Sequence, residues 1–183
     1  MRRRTVLIAI LAGALAAFGA LAAACGDGDG ESLTLEEYFA RFEAIDADVD
    51  QQVEALFADF PDVSDEEFFS NEENLPLLKS IFAGFPRILG DALDELDGLD
   101  PPSEVEDAHN EFLEAGRGLL AAFESAASDV EDVETIAEAQ EIGESADAEV
   151  APAEQRFDEA CLALVDVGAA NGLVVDVDCE DDE

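Results

Sequence analysis

Thr34-Leu35-Glu36-Glu37-Tyr38-Phe39 opens the stretch TLEEYFARFEAIDADVDQQVEALFADF (34–60), whose reading decides the fold class. Thr34 and Glu37 stand three residues apart. At that spacing a hydroxyl and a carboxylate each accept the other residue's backbone N–H at a helix start, and Leu33 just before them is placed as a hydrophobic staple. Apolar residues then fall at Leu35, Tyr38, Phe42, Ile45, Val49, Val53, Leu56 and Phe60. Steps of three and four put them in one stripe along a helix of about 25 residues. Pro61 is the predicted stop.

Three more stripes follow. Ser64-Asp-Glu-Glu67 is a second capping box, before Phe68-Phe69 and a stripe at Leu78, Ile81, Phe85, Ile88, Ala92 and Leu96. Pro76 fits a first turn, where its missing N–H is harmless. Pro86 stands in mid-stripe and is expected to kink or break the helix, opening a groove there. Gly98 and Pro101-Pro102 close the segment. Ser103-Glu-Val-Glu106 is a third capping box, leading to Val105, Ala108, Phe112, Ala115, Leu119 and Phe123. Residues 128–144 are acidic and weakly apolar, and read as a short helix and a connection. A last stripe runs Val150, Phe157, Ala160, Cys161, Leu164 and Val167, with Pro152 at its start or at a kink. Asn171-Gly172 supplies the left-handed C-cap. Four long stripes predict an all-α, up-down four-helix bundle.

The bundle carries a C-terminal extended segment, predicted to be disulfide-linked to the last helix. Ten helical residues after Cys161 cover about 15 Å. The chain reverses at Asn171-Gly172, and seven extended residues return at most about 25 Å. Cys179 therefore reaches Cys161. Leu173, Val175 and Val177 alternate with Val174, Asp176 and Asp178, so one face of the segment can lie on the helix. Without a C-x-x-C or a nearby histidine, a redox or thiolate-metal role for this pair is disfavoured.

The N-terminus differs in kind. Met1-Arg2-Arg3-Arg4 is followed by VLIAILAGALAAFGALAAA (6–24) and then Cys25. A basic start, an apolar run and small residues before a cut site describe an export signal. Leu21-Ala22-Ala23-Ala24-Cys25 resembles a bacterial lipobox, with Ala22 where that pattern most often has leucine. The resemblance implies cleavage before Cys25, lipid such as palmitate on Cys25, and a membrane anchor. Uncut, the run of 19 residues just spans a bilayer; cleaved without lipid, the protein is secreted. In the first two cases the arginines stay cytoplasmic and the domain lies outside. Arg3-Arg4 also resembles a twin-arginine signal. The domains are thus a signal peptide (1–24), a lipid-anchored flexible linker (25–32) and an acidic helical-bundle domain (33–183).

Residues 25–183 hold all 47 acids and five bases (Arg41, Lys79, Arg87, Arg117, Arg156), a net charge of −42. Such a surface repels phosphate backbones, so nucleic acid is not an expected partner. A protein partner or a cation is physically allowed. Acids on solvated helix faces keep a chain soluble, and a monomer is expected. The charge alone suggests disorder, but the chain is 49% apolar with twelve phenylalanines, and its periodicity outweighs the charge.

No catalytic constellation stands out. His109 is the only histidine. Glu106-Asp-Ala-His109 matches one half of a di-iron motif that needs two copies. It reads instead as a boundary histidine beside Phe112, with Glu106 as a capping residue. Haem ligation, a serine nucleophile elbow and phosphate-binding loops all lack their residues. No cofactor is expected, and the chain is read as non-enzymatic; an enzyme would need a closed polar pocket, with His109 and Arg117 as its candidates. Calcium takes only oxygen ligands. Asp46-Ala-Asp48-Val-Asp50 begins like a calcium loop, but Gln51 replaces the turn glycine and the segment reads as helix. Asp176, Asp178, Glu180, Asp181 and Asp182 form a weak candidate metal site in the tail.

The linker after Cys25, LTLEEYF (33–39), PPSEVEDAHNEF (101–112) and ACLALVDV…NGLVVDVDC (160–179) together resemble a group of bacterial helical lipoproteins. These motifs are structural, and the resemblance implies no activity. The expected function is a membrane-anchored, extracytoplasmic module that binds a ligand or partner or structures the envelope. A calcium-binding or calcium-sequestering lipoprotein is the alternative. A surface with so few cations is stabilised when salt screens its self-repulsion. The melting temperature is expected to rise between low salt and about 1 M salt; scanning calorimetry at the two concentrations checks this, and an unchanged value counts against it.

Overall fold

The computed structural model describes residues 32–58, 68, 71–177 and 179. Helix α1 spans Leu35–Phe57, α2 Leu75–Asp97, α3 Glu106–Glu131 and α4 Ile136–Ala170, with a short 3-10 turn at Glu72–Asn74. No strand occurs among the described residues.

Topology follows from which helix ends meet. One core joins Tyr38, Phe39 and Phe42 near the start of α1 with Leu93 and Leu96 at the end of α2. Phe112 and Leu113 of early α3 and Ala160, Cys161 and Leu164 of late α4 complete it. A second core joins Leu78 of early α2, Val130 of late α3, and Ile136 and Ala139 of early α4, closed by Phe68. Starts meet ends throughout, so successive helices run antiparallel in an up-down four-helix bundle. Between the cores, Phe85 of α2 lies 5.8 Å from Phe57 of α1 and 6.0 Å from Phe123 of α3 between ring centroids.

The helix starts show which capping readings form. Glu37 N–H donates to Thr34 Oγ1 at 3.3 Å, and Thr34 N–H donates to Glu37 Oε2 at 3.0 Å. The expected first capping box is therefore present, and Leu33 packs on the core that contains Tyr38. The Ser64–Glu67 box lies outside the described residues. The Ser103–Glu106 box does not form. The Ser103 hydroxyl donates to Glu104 Oε2 at 3.1 Å, and Val105 N–H donates to Pro102 O at 3.0 Å. Pro101-Pro102 thus lead into a turn, and α3 starts at Glu106 with no side-chain cap.

Residues 128–144 also differ from expectation. They hold the last turn of α3 and the first two turns of α4, joined by a tight connection. Thr135 and Glu138 form a complete capping box there. Both interior prolines stay within continuous helices: Pro86 in α2 and Pro152 in α4. A mid-helix proline removes one backbone bond at a cost of about 3 kcal/mol. Gly84 and Ile88, on either side of Pro86, are buried.

Helix α4 ends in a Schellman motif. Gly172 takes φ 81°, Gly172 N–H donates to Ala169 O, and Leu173 N–H donates to Gly168 O, each at 3.0 Å. The chain then turns back along the helix. Leu173, Val175 and Val177 pack on the first core, while Val174 is 94% exposed. Cys179 is bonded to Cys161, with Cα atoms 5.7 Å apart. Closing a loop of this length stabilises by about 3 kcal/mol. Asp176 N–H donates to Glu43 Oε1 at 3.0 Å, which ties the returning segment to α1.

Gly116 marks the closest approach of three helices. A Cβ there would lie 2.5 Å from Leu93 Cδ2 of α2 and 3.3 Å from Phe157 Cε2 of α4. Gly118, two residues on, has nothing within 4 Å of the same atom. Gly116→Ala is expected to destabilise by about 1–3 kcal/mol through overpacking. Gly118→Ala is expected to be neutral or stabilising by up to about 1 kcal/mol through helix propensity. Urea denaturation of the two variants checks the contrast.

Candidate functional site

The polar group buried at the helix contacts is His109. It is 4% exposed and points from early α3 into the larger core. Its Nδ1 lies 2.9 Å from the hydroxyl of Tyr38, which is 0% exposed. The two rings meet edge to face at 5.6 Å. Tyr38 also packs against Phe39 and Phe42, and Phe42 against Phe112. His109 is therefore a core residue rather than the boundary residue expected. The fold places it there by arithmetic: it follows Val105 by four residues and precedes Phe112 by three, on the buried face of α3.

Burial sets the electrostatics of the pair. It pushes the His109 imidazole below its ordinary value near 6.5, while Asp97 pulls upward and Arg117 downward. Burial likewise raises the Tyr38 phenol above its ordinary range. Both groups are held neutral at physiological pH, and their hydrogen bond satisfies two polar atoms that the core would otherwise penalise. Arg117 donates to Asp97 at 2.8 Å in an exposed ion pair between α3 and α2. Arg117 is near enough to act on the His109 imidazole electrostatically, but the imidazole faces inward onto Tyr38 while Arg117 pairs with Asp97 at the surface.

A second polar arrangement sits at the opposite end. Lys79 of α2 donates from Nζ to Glu131 O at 2.7 Å and to Val133 O at 2.8 Å. It caps the C-terminus of α3, where unpaired carbonyls and the negative end of the helix dipole favour a cation. Glu72 Oε2 accepts Ile136 N–H at 2.9 Å and so caps the N-terminus of α4. The two side chains clasp the α3–α4 turn from the α2 side. The same turn carries an open depression of about 510 Å³ bordered by Asp129, Asp132, Glu134, Glu138 and Glu141. Pro86 borders another open depression, of about 790 Å³, with Lys79 and Arg87 on one side and Glu124 and Glu131 on the other. The helix runs unbroken past Pro86, so the break expected to open a groove there does not form, and the depression beside it is an open surface feature.

The other candidates fall as follows. Cys161 and Cys179 are joined. Of the tail carboxylates, Asp176 is exposed, with its backbone N–H on Glu43. Asp178, Glu180, Asp181 and Asp182 lie outside the described residues, as does Cys25. Asp46, Asp48 and Asp50 lie within α1, where Asp48 accepts from Gln52 one turn on at 2.7 Å. Among the described residues no group of three or more His, Cys, Asp or Glu side chains is arranged to hold a metal ion, and no helix is long and apolar enough to cross a membrane.

Tyr38→Phe keeps the ring packing and removes the partner of His109 Nδ1. It is expected to cost about 1–3 kcal/mol, the penalty for an unsatisfied buried polar atom. Chemical denaturation at neutral pH checks this, and a variant as stable as the parent would mean that the pair contributes nothing to the core. No family model, no curated protein and no solved structure matches the chain, so the description of this site rests on its own residues.

Proposed function

We propose that this chain is an exported lipoprotein, held at the extracytoplasmic face of a cell membrane by lipid on Cys25. Its helical domain is a non-enzymatic module that binds a partner or ligand or structures the envelope. The observation that carries the reading is the Cys161–Cys179 bond. Such bonds persist in oxidising compartments and are rare in the cytosol. The bond therefore supports the same side of the membrane as the arginine-led apolar run and the lipobox-like Leu21–Cys25 stretch.

The non-enzymatic half is supported by His109. Its Nδ1 is engaged by Tyr38 inside the core rather than presented to a surface cleft. The large negative charge favours a partner with cationic surface, and steers such a partner at low ionic strength. The likeness to bacterial lipoproteins noted at 33–39, 101–112 and 160–179 agrees with this reading and adds no activity to it.

The full chain expressed in a bacterial host is expected to partition into the detergent phase, with Met1–Ala24 removed and a diacylglyceryl mass on Cys25. Cys25→Ser is expected to shift it to the aqueous phase or leave the precursor uncut. Mass spectrometry showing an intact Met1 or an unmodified Cys25 in the parent chain would overturn the anchor. Crosslinking on intact cells with the anchored chain then identifies what it touches.

A further inference from the structure

The Tyr38–His109 pair has a property that a purely apolar contact lacks: one of its members can take up a proton. We propose that the pair is an acid-sensitive latch, in which protonation of His109 frees α1 from the bundle while α2, α3 and α4 stay packed. This goes beyond the membrane-anchored reading and does not depend on it.

Geometry makes α1 the element that leaves. The second core is built by α2, α3 and α4 with Phe68, and contains no residue of α1. The three-way approach at Gly116 joins α2, α3 and α4 through Leu93 and Phe157, and Phe112 of α3 lies 4.7 Å from Phe157 of α4. These contacts remain when α1 is removed. The aromatic and polar hold on α1 at this end comes from its first turns: Tyr38, Phe39 and Phe42 in the core, Leu33 N–H on Asp100 O at 3.1 Å, and Glu43 on the Asp176 N–H, while its last turn rests on α2 through Leu56 over Gly84 and Phe57 on Phe85.

The groups facing the imidazole define what a proton does there. From α1 comes the Tyr38 hydroxyl; the core around Tyr38 receives from α4 only the apolar Ala160 and Leu164 and the disulfide-bonded Cys161. From α2 comes Asp97, and from α3 itself Arg117, already paired with Asp97. A protonated ring can still donate to the phenol oxygen, so the hydrogen bond alone does not fail. What fails is the burial of a cation among aromatic and aliphatic side chains without a counter-charge in contact. The favourable place for that cation is outward, beside Asp97 at the C-terminal end of α2, where carboxylate and helix dipole both attract it. Reaching it requires the ring to leave Tyr38 and the α1 interface to open.

The direction in pH follows from linkage. The opened state binds the proton at the ordinary imidazole value near 6.5, and the closed state binds it only at lower pH. Closure is thus fully stabilised above about pH 6.5 and is lost as pH falls through the closed-state value. His109 is the only histidine, so one side chain accounts for the change, and its ring gives a single set of resonances.

Hydrogen exchange of the full chain, read at residues 33–179 and corrected for the intrinsic rate, tests the latch between pH 7.5 and 5.5. The parent is expected to show opening of the α1 amides that rises several-fold, with a ceiling of about ten-fold for one proton over this interval. Amides of α2, α3 and α4 are expected to change little, and His109→Gln to remove the pH dependence. Should that variant not fold, ring NMR of the parent replaces it: the imidazole is expected to titrate below its ordinary value, in step with α1 opening. Equal pH dependence in His109→Gln, loss of protection spread across all four helices, or a ring that titrates at its ordinary value with α1 still closed would each overturn the proposal.

Discussion

Close packing of aromatic rings at the end of the bundle where α1 begins and α4 ends is the constraint on which the rest depends. Residues 25–183 carry 47 acids and five bases, so the helices repel one another wherever they are not buried. Tyr38, Phe39, Phe42 and Phe112 supply burial dense enough to resist that repulsion, and each ring displaces far more water than an aliphatic residue. Shape then follows from how near the backbones must come. Gly116 and Gly168 permit that approach, the first under Leu93 and Phe157, the second under Phe39 and Val175. The same packing encloses the only histidine, whose Nδ1 meets the Tyr38 hydroxyl.

The few cations are used with economy. Lys79 spans from α2 to the last carbonyls of α3, and Arg117 links α3 to Asp97 of α2. Arg87 pairs with Asp91 one turn away on an exposed face, where such a pair contributes little. The two glutamates of the capping boxes, Glu37 and Glu138, are held below their ordinary range by the backbone N–H groups and threonines they face. Lys79 and Arg117 thus link helices, and the backbone donors at two helix starts are met by glutamates.

Much of this architecture was legible in the sequence. The steps of three and four at Leu35–Leu56 and at Leu78–Leu96 gave the buried faces, because helical periodicity and burial are the same fact seen twice. The return of residues 173–179 onto α4 was legible because alternation and chain length left little freedom. The start of α4 was not. Its first two turns carry few large apolar residues, so the stripe fades there, although Thr135-Ile-Ala-Glu138 spells a capping box. The Ser103–Glu106 box misled in the opposite way. Local spelling favoured it, but Pro101-Pro102 already fixed the turn that occupies Val105 N–H. The Tyr38–His109 pair was half visible: both residues lie on inward faces, but a tyrosine counted as apolar hides its hydroxyl. Nothing in one sequence says that two such faces meet at the same height. Cys25 and most of the tail carboxylates lie outside the described residues.

The bond between Cys161 and Cys179, with the contact of Asp176 on Glu43, brings the returning C-terminal segment to the end of the domain where Leu33 enters. Arrival and departure of the chain therefore share one end. The α3–α4 turn occupies the other, separated from it by the 35 residues of α4, about 50 Å at helical rise. That far end is closed by a four-residue connection clasped by Lys79 and Glu72. Within the described residues, the two chain segments that flank the helices meet at one end, and the short acidic bend between α3 and α4 stands at the other.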